Sequence, residues 1–369
     1  MTTRRTSKEN YRLGVAPQRL VGILLLVGLG LLYFTAWRNV RAPLTDFLPN
    51  YAAVRLLQAG QNPYSVEAQC RLQSTVRTDL CMPFNHTPVL LPLISVITTE
   101  DYSTSYRRWC FILVIVLTLT VLPAYRLSED LDASLQAILF FPIFISVTQG
   151  QDTAFMLLGV FIWALLLKNK HDFWAGAALT LTVIKPQIAL LFGLPLAFAR
   201  PRAFLGFVVG GVSAVAFSLW LVGITGFKGL IEIARISATG KTFGVNHSDM
   251  YSAVGIFSRA GISPYWIWPV FVLAIIGLSV LWRKYGTTIH TLSLGILIII
   301  LAAPHLLLHD IAPLVIPVYL VHPYAPALGS LVLLVSQAVG FPHLGAFLIM
   351  GLLAAYHLRE MLKYRTVST

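Results

Sequence analysis

Apolar segments long enough to cross a lipid bilayer recur along the chain from Leu20 to Tyr356. Each runs for about 15–20 residues, and a helix of about 20 apolar residues spans the hydrocarbon layer. Inside hydrocarbon only helices and closed barrels satisfy their own backbone hydrogen bonds, and the chain lacks the short alternating strands of a barrel. The sequence therefore predicts an all-α polytopic membrane protein, folded as a single transmembrane domain over residues 1–369.

The charge of the chain points to membrane partners rather than to nucleic acid. Charged residues make up 11% of the sequence, the mean hydropathy is +0.75 and the net charge is +12. A soluble domain carries roughly 25% charged residues. Here the lysines and arginines stand in short clusters between apolar segments, where they set topology and contact anionic lipids. We expect membrane lipids as partners, and no nucleic acid.

Thirteen apolar segments are candidates for crossings, and the positive-inside tendency reduces them to about twelve. If all crossed from a cytoplasmic basic tail at residues 1–19, several later basic clusters would fall outside. Segment 85–99 is short and contains Pro88 and Pro92, which interrupt helical hydrogen bonding, so it is predicted to lie at the interface or to re-enter. The thirteen segments are 20–37, 85–99, 109–125, 135–148, 153–167, 173–184, 187–199, 203–222, 265–282, 290–304, 311–321, 326–339 and 341–357.

The twelve-crossing arrangement places both termini inside and two long loops, 38–84 and 223–264, on the extracytoplasmic face. Apolar residues within 48–57 recur at helical spacing, which predicts a helix lying along the bilayer surface in the first loop. The same loop contains Cys70 and Cys81. These form a disulfide if the loop faces an oxidising compartment, and are otherwise two free thiols.

Asp46 is the first candidate for chemistry, because it lies just beyond an apolar segment in a chain with only 15 acidic residues. A carboxylate beside an apolar surface can be desolvated towards a pKa that suits a general base, while the alternative is an ordinary helix N-cap. The sequence has no Walker lysine loop, dinucleotide glycine fingerprint, HExxH or paired CxxC. Nucleotide-driven pumping and hydride transfer therefore lack support.

A lysine and two histidines form further polar breaks in apolar sequence. Lys185 precedes a proline inside an apolar stretch, where its ammonium either snorkels to the surface or, as we favour, meets a phosphate. His305 and His309 are four residues apart, which suits a metal ion or hydrogen bonds to an anion. With only Asp310 nearby, a divalent metal is unsupported, and we expect no required cofactor.

At these residues the chain resembles glycosyltransferase family 87, the polyprenol-phosphate-mannose-dependent mannosyltransferases of the GT-C type. The likeness spans about residues 45–260 in family order. Two stretches depart from the family pattern, Phe84–Pro88 and Gly244–Ser248. The matching positions are Asp46, Phe47, Tyr51, Ala53, Gly60, Asn62, Pro63, Tyr64, Gly150, Gln151, Lys185, Pro186, Asn246, Ser248 and Arg259.

The resemblance implies a GT-C helix bundle that moves a sugar, above all mannose, from a polyprenyl-phosphate donor to a hydroxyl of a lipid or glycan acceptor. Asp46 then is the general base, and a single displacement inverts the anomeric configuration. The donor phosphate is expected to meet Lys185, Arg259, His305 and His309. The expected substrate-binding residues are Tyr51, Tyr64, Gln151, Gln187, Asn246, His247 and Asp310.

Two other functions stay open for the sequence. A secondary transporter of a polar or anionic solute would also place polar residues at helix breaks, although no internal repeat is visible. A non-catalytic scaffold in envelope assembly would tolerate replacement of Asp46 and Lys185. We favour the enzyme, located in the plasma membrane of a bacterium with its active site facing outside the cytoplasm.

Overall fold

The computed structural model describes residues 27–28, 30–38, 46–76, 81–129, 140–238, 246–321 and 343–366. Over these residues the protein is all-helical, with 83% helix and no strand. The predicted all-α class is therefore confirmed.

The helices match the apolar segments of the sequence closely, and short 3-10 turns join several of them. The α-helices are α1 (30–38), α2 (Phe47–Gln58), α3 (Val66–Val76), α4 (Leu91–Ile97), α5 (Tyr102–Ser128), α6 (Phe141–Gln149), α7 (Thr153–Lys168), α8 (Asp172–Ala178), α9 (Pro186–Gly193), α10 (Leu196–Ala199), α11 (Pro201–Ala238), α12 (Ala253–Arg259), α13 (Ile267–Tyr285), α14 (Ile289–Ala302), α15 (Val315–Val321) and α16 (His343–Thr366). The 3-10 turns are Pro88–Leu90, Leu179–Ile184, His247–Asp249, Pro264–Trp266 and Leu308–Leu314.

Four of these helical stretches are long and apolar enough to cross a membrane: Tyr102–Ser128, Pro201–Ile236, Pro264–Tyr285 and Gly345–Lys363. Six further apolar stretches are shorter, because prolines and polar residues break them. The predicted segment 326–339 and the predicted cytoplasmic tail at residues 1–19 lie outside the described residues. The twelve crossings therefore stay a prediction.

The predicted loop 223–264 is largely helical, which the sequence analysis did not foresee. Helix α11 bends at Gly223, whose φ of 66° and ψ of 177° are not helical, and then resumes to Ala238. Beyond the bend, Gly229 lies against Tyr64. A Cβ added at Gly229 would be only 2.7 Å from the Cβ of Tyr64. The second long loop thus packs on the first, and glycine permits that close approach.

Helix α2 forms where the periodicity predicts a helix, while its position along the bilayer surface stays a prediction. All residues from Phe47 to Val54 are buried. Phe47 stacks on Trp109 of α5, with ring centroids 6.0 Å apart and an interplanar angle of 20°. Gly150 also packs on Phe47, so closely that an added Cβ would lie 2.8 Å from the Phe47 Cβ. Protein surrounds the start of α2, so the helix anchors the residue before it, Asp46, in a fixed place.

The first loop is tied together by a disulfide between Cys70 and Cys81, which decides between the two alternatives for these cysteines. Buried glutamines reinforce the loop. The side chain of Gln73 accepts a hydrogen bond from the backbone N–H of Met82 at 2.9 Å and donates to its carbonyl at 2.6 Å. Gln69 donates to the carbonyl of Pro63 at 2.7 Å. These bonds satisfy polar groups that lie out of reach of water.

Candidate active site

Polar residues from distant breaks in the helices meet in one ionic network. An oxygen of Asp46 lies 3.8 Å from Nδ1 of His309. Nε2 of His309 lies 3.4 Å from Oδ1 of Asp310, and the same oxygen lies 3.1 Å from Nζ of Lys185. Through His309 and Asp310, this network links the carboxylate of Asp46 to the ammonium of Lys185.

Asp46 sits at the N-terminus of α2 but does not cap it. Its side chain makes no capping hydrogen bond to the helix, so the N-cap alternative fails. The side chain of Asp46 is 29% exposed, while those of His309 and Asp310 are 8% and 1% exposed. The carboxylate is therefore the accessible end of an otherwise buried network.

Lys185 lies in the break between two apolar helical stretches, where the 3-10 turn Leu179–Ile184 ends and α9 begins. Pro186 occupies the first position of α9, where its missing N–H costs no helical hydrogen bond. Burial alone would lower the pKa of the Lys185 ammonium, but Asp310 and Asp152 raise it above its ordinary value. Lys185 is charged and is paired with the Asp310 carboxylate, while its contact with a donor phosphate stays a prediction.

Asp310 is a structural partner rather than a free substrate ligand. One of its oxygens accepts a hydrogen bond from the backbone N–H of Leu307 at 3.0 Å, and the other contacts Lys185. The first bond fixes the start of the 3-10 turn Leu308–Leu314, which carries His309 and follows His305 in the chain. Gln187 supports the same turn, since its side-chain amide donates to the carbonyl of His305 at 3.3 Å.

His305 lies in the connection between α14 and the turn Leu308–Leu314, outside both helical stretches. Burial lowers its pKa to about 4, so the imidazole is neutral at neutral pH. Its Nδ1 is buried and has no hydrogen-bond partner among the described residues. A neutral imidazole with an unused nitrogen suits a hydrogen bond to a substrate oxygen.

His86 and Asp152 belong to the site and were missed as site residues in the sequence. Nδ1 of His86 lies 2.9 Å from an oxygen of Asp152, and the two side chains are 8% and 3% exposed. Burial would raise the pKa of Asp152, but His86 and then Lys185 lower it, which joins this pair to the main network. The sequence signal that could have identified them is a histidine and an aspartate in apolar surroundings. Their pairing could not be predicted, because it joins two segments that are far apart in the chain.

Two predicted substrate-binding tyrosines instead support the walls of the site. The Tyr51 hydroxyl donates to the carbonyl of Glu100 at 2.7 Å, and the Tyr64 hydroxyl donates to the carbonyl of His86 at 2.9 Å. Both side chains are buried. Tyr64 thereby holds the segment that carries His86 and contributes to the site through that residue. Gln151 is also buried, beside Asp152, and its side-chain oxygen has no hydrogen-bond partner in the described part of the chain.

The loop before α12 lies next to the network, but its arginine does not join it. Arg259 is exposed and donates to the carbonyl of Ser248. Asn246 pairs with Asp249 in a capping box at the start of the turn His247–Asp249. His247 is close enough to act electrostatically on the imidazole of His305. The expectation that Arg259 shares a phosphate site with Lys185 has no support in the contacts of its side chain.

No group of three or more His, Cys, Asp or Glu side chains in the described ranges is arranged to hold a metal ion. The network is instead a set of acid–base pairs with one accessible carboxylate and a neutral imidazole. Such a set can take a proton from a hydroxyl and balance charge nearby.

An all-helical membrane protein with an accessible carboxylate backed by a buried lysine and histidines has the parts of a group-transfer enzyme. The sequence model of glycosyltransferase family 87 matches residues 84–309, more than half of the chain. The protein belongs to glycosyltransferase family 87, and the family resemblance seen in the sequence is confirmed. The matched range contains Lys185 and His309, while Asp46 precedes it. No curated protein and no solved structure matches the chain significantly.

Proposed function

We propose that this glycosyltransferase moves a hexose, mannose by its family resemblance, from a polyprenyl-phosphate donor to a hydroxyl of a lipid or glycan acceptor. The reaction would take place on the extracytoplasmic face of a bacterial plasma membrane and would invert the anomeric configuration. The observation that carries the proposal is the accessible carboxylate of Asp46 at the end of a buried ionic network.

Asp46 is the proposed general base. The acceptor oxygen attacks the anomeric carbon, and the hydroxyl proton passes to the Asp46 carboxylate as the bond forms. An exposed fraction of 29% leaves room for an acceptor hydroxyl at this side chain. His309 lies 3.8 Å away, too far for a strong hydrogen bond, so the lone pairs of Asp46 are free to accept that proton.

The bond from the anomeric carbon to the phosphate oxygen breaks in the same step, and its electron pair stays on the polyprenyl phosphate. The leaving group thereby gains about one negative charge. Lys185 is the fixed cation of the site, and the neutral His305 can donate one N–H. Both interactions would favour the charge that develops in the transition state.

The charge of the network favours donor binding only in part. Asp46, Asp152 and Asp310 carry three negative charges against one on Lys185. A phosphodiester would bring about one further negative charge to this site. The phosphate would then share Lys185 with Asp310 rather than have it alone, which revises the sequence expectation.

The disulfide between Cys70 and Cys81 supports the proposed sidedness. Disulfides persist in oxidising compartments, and this one lies in the predicted extracytoplasmic loop 38–84. The loop begins close to Asp46, so the bond and the carboxylate would share one side of the membrane.

Family membership favours transfer over the transporter alternative, because a glycosyltransferase makes a covalent product. A direct test incubates the purified protein in detergent with polyprenyl-phosphate mannose and native lipid extract, and follows the product by mass spectrometry. Related polyprenyl-phosphate sugars run in parallel would identify the sugar. Uptake of solute into proteoliposomes without a covalent product would contradict the proposal.

The matched variants are Asp46→Asn and Glu67→Gln, which removes an exposed carboxylate of the same loop. Loss of a general base costs roughly 10²–10⁴-fold in rate, so Asp46→Asn should lose transfer to that extent. Glu67→Gln should keep it. Both should elute as folded protein with the disulfide intact. Unchanged turnover by Asp46→Asn would remove this carboxylate from the mechanism.

A further inference from the structure

A cavity lies outside the ionic network, where the end of α1 meets the start of α5. Its volume is about 350 Å³. Two arginines and four apolar or aromatic side chains form most of its lining: Tyr33, Trp37, Arg107, Arg108, Phe111 and Ile112. These residues stand where two apolar helices reach a polar turn, the depth at which tryptophan and arginine border a membrane.

Within the described part of the chain, neither guanidinium group of the cavity forms an ion pair. No carboxylate among the described residues lies within 4.0 Å of Arg107 or Arg108. Nε of Arg107 is buried and makes no hydrogen bond within this part of the chain, and its guanidinium carbon lies 4.9 Å from the centroid of the Trp37 ring. Arg108 makes one long contact, 3.5 Å, to the carbonyl of Ile97.

The nearest acid along the chain is already engaged. The carboxylate of Asp101 accepts hydrogen bonds from the backbone N–H groups of Ser103 and Thr104, at 3.3 and 2.8 Å, and so caps α5. Among the described residues, the contact of Arg108 with the carbonyl of Ile97 is the one hydrogen bond that either guanidinium group donates. A guanidinium pairs best with a carboxylate or a phosphate, because its planar fork can donate two parallel hydrogen bonds.

An exposed apolar stripe runs along α5 away from the arginines. Phe111, Ile115, Leu119 and Leu122 are 52%, 43%, 57% and 56% exposed, and their spacing of three or four residues puts them on one face of the helix. The cavity thus places the two arginines next to an exposed apolar helix face. A ligand with a phosphate head and an apolar tail matches both parts.

Helix α5 separates this cavity from the candidate active site. On its other face, Trp109 stacks on Phe47 and donates to the carbonyl of Gly150 at 2.8 Å. Tyr106 on the same side donates to the carbonyl of Thr148 at 2.6 Å. A ligand at the arginines would therefore sit on the far side of α5 from Asp46.

We propose that this cavity binds the phosphate head of a membrane lipid, with Arg107 and Arg108 on the phosphate and the tail along the stripe of α5. The shared chemistry is a lipid phosphate, supplied either by polyprenyl phosphate or by a bilayer phospholipid. The site is separate from the ionic network and does not rest on the proposed role of Asp46.

Native mass spectrometry of the full chain released from detergent tests this directly. Three probes are titrated in separate arms: polyprenyl phosphate, phosphatidylglycerol and inorganic phosphate. The variant Arg107→Gln/Arg108→Gln should bind at least one lipid about tenfold or more weakly than the wild type, because it loses charged hydrogen bonds. The lipid whose binding falls identifies the source.

The control is Arg126→Gln, which removes an exposed arginine at the other end of α5 and should leave lipid binding unchanged. Arg108→Gln alone serves as a milder variant, since the exposed Arg108 has one weak contact, and it should show a smaller loss in the same direction. Equal lipid binding by wild type and the folded double variant would overturn the proposal. An equal loss in Arg126→Gln, or binding of inorganic phosphate in place of lipid, would also overturn it.

Discussion

Neutralising one member of the Lys185–Asp310 pair should destabilise the protein far more than neutralising both. The two side chains are 11% and 1% exposed and lie 3.1 Å apart. Lys185→Met removes the ammonium from a buried carboxylate, whose remaining close side-chain partner is His309 at 3.4 Å. Removal of one partner from a buried ion pair costs about 3–5 kcal/mol. The double variant Lys185→Met/Asp310→Asn leaves no unpaired charge here, so it should show a coupling energy of about 2 kcal/mol or more.

The four proteins of this cycle can be compared by the free energy of unfolding in mixed micelles titrated with SDS. An exposed pair gives the control cycle: Arg71 and Glu67 lie 2.8 Å apart, with side chains 73% and 86% exposed. Its coupling should stay below about 1 kcal/mol. Costs that simply add at Lys185 and Asp310 would refute the reasoning. If the double variant regains stability but does not use the polyprenyl-phosphate donor, Lys185 is needed for transfer as well as for folding.

Two further predictions concern the surroundings of the network. Gly150→Ala should destabilise the protein by about 2 kcal/mol or more and lower transfer, because the backbone φ is 71° and the new Cβ would lie 2.8 Å from the Cβ of Phe47. The control is Gly261→Ala, which has the same φ of 71° but no neighbour within 4 Å, so it should show only the cost of the backbone conformation. Equal losses of stability in the SDS titration would contradict crowding at Phe47. In the folded protein the pKa of His305 is lowered from the ordinary 6.5 to about 4. Between these two pH values the unfolded chain binds a proton that the folded protein does not, so the stability falls as the pH drops from 6.5 towards 4. His305→Asn should remove about 2 kcal/mol of the loss between pH 7.5 and pH 5, and an identical pH dependence in both proteins would show that the imidazole is not buried in its neutral form.

The helices and their breaks could be predicted because hydropathy is a local property. Segments such as 109–125 and 153–167 correspond to α5 and α7, and Pro88 marks a short interrupted stretch as expected. The second half of α11 was not foreseen, because Gly223 looks like the start of a loop. A bend at one glycine and a helix end have the same local signature, and only packing against the first loop tells them apart.

The sequence indicated several residues of the candidate site, but it did not indicate which of them contact one another. Asp46, Lys185 and His309 stand out in sequence because a polar group in apolar surroundings has a high cost of desolvation. Nothing in the sequence indicates that Lys185 meets Asp310, because the two residues belong to helix breaks far apart along the chain.

Hydropathy along the chain was enough to establish an all-helical membrane protein and to locate the polar residues that interrupt its apolar segments, since both follow from the order of the side chains. Tertiary packing alone decided the rest. It left the carboxylate of Asp46 accessible, joined His86 to Asp152, and placed Arg107 on the far side of α5. Each of these depends on how separate helices pack side by side, and charges form pairs only once packing has removed them together from water.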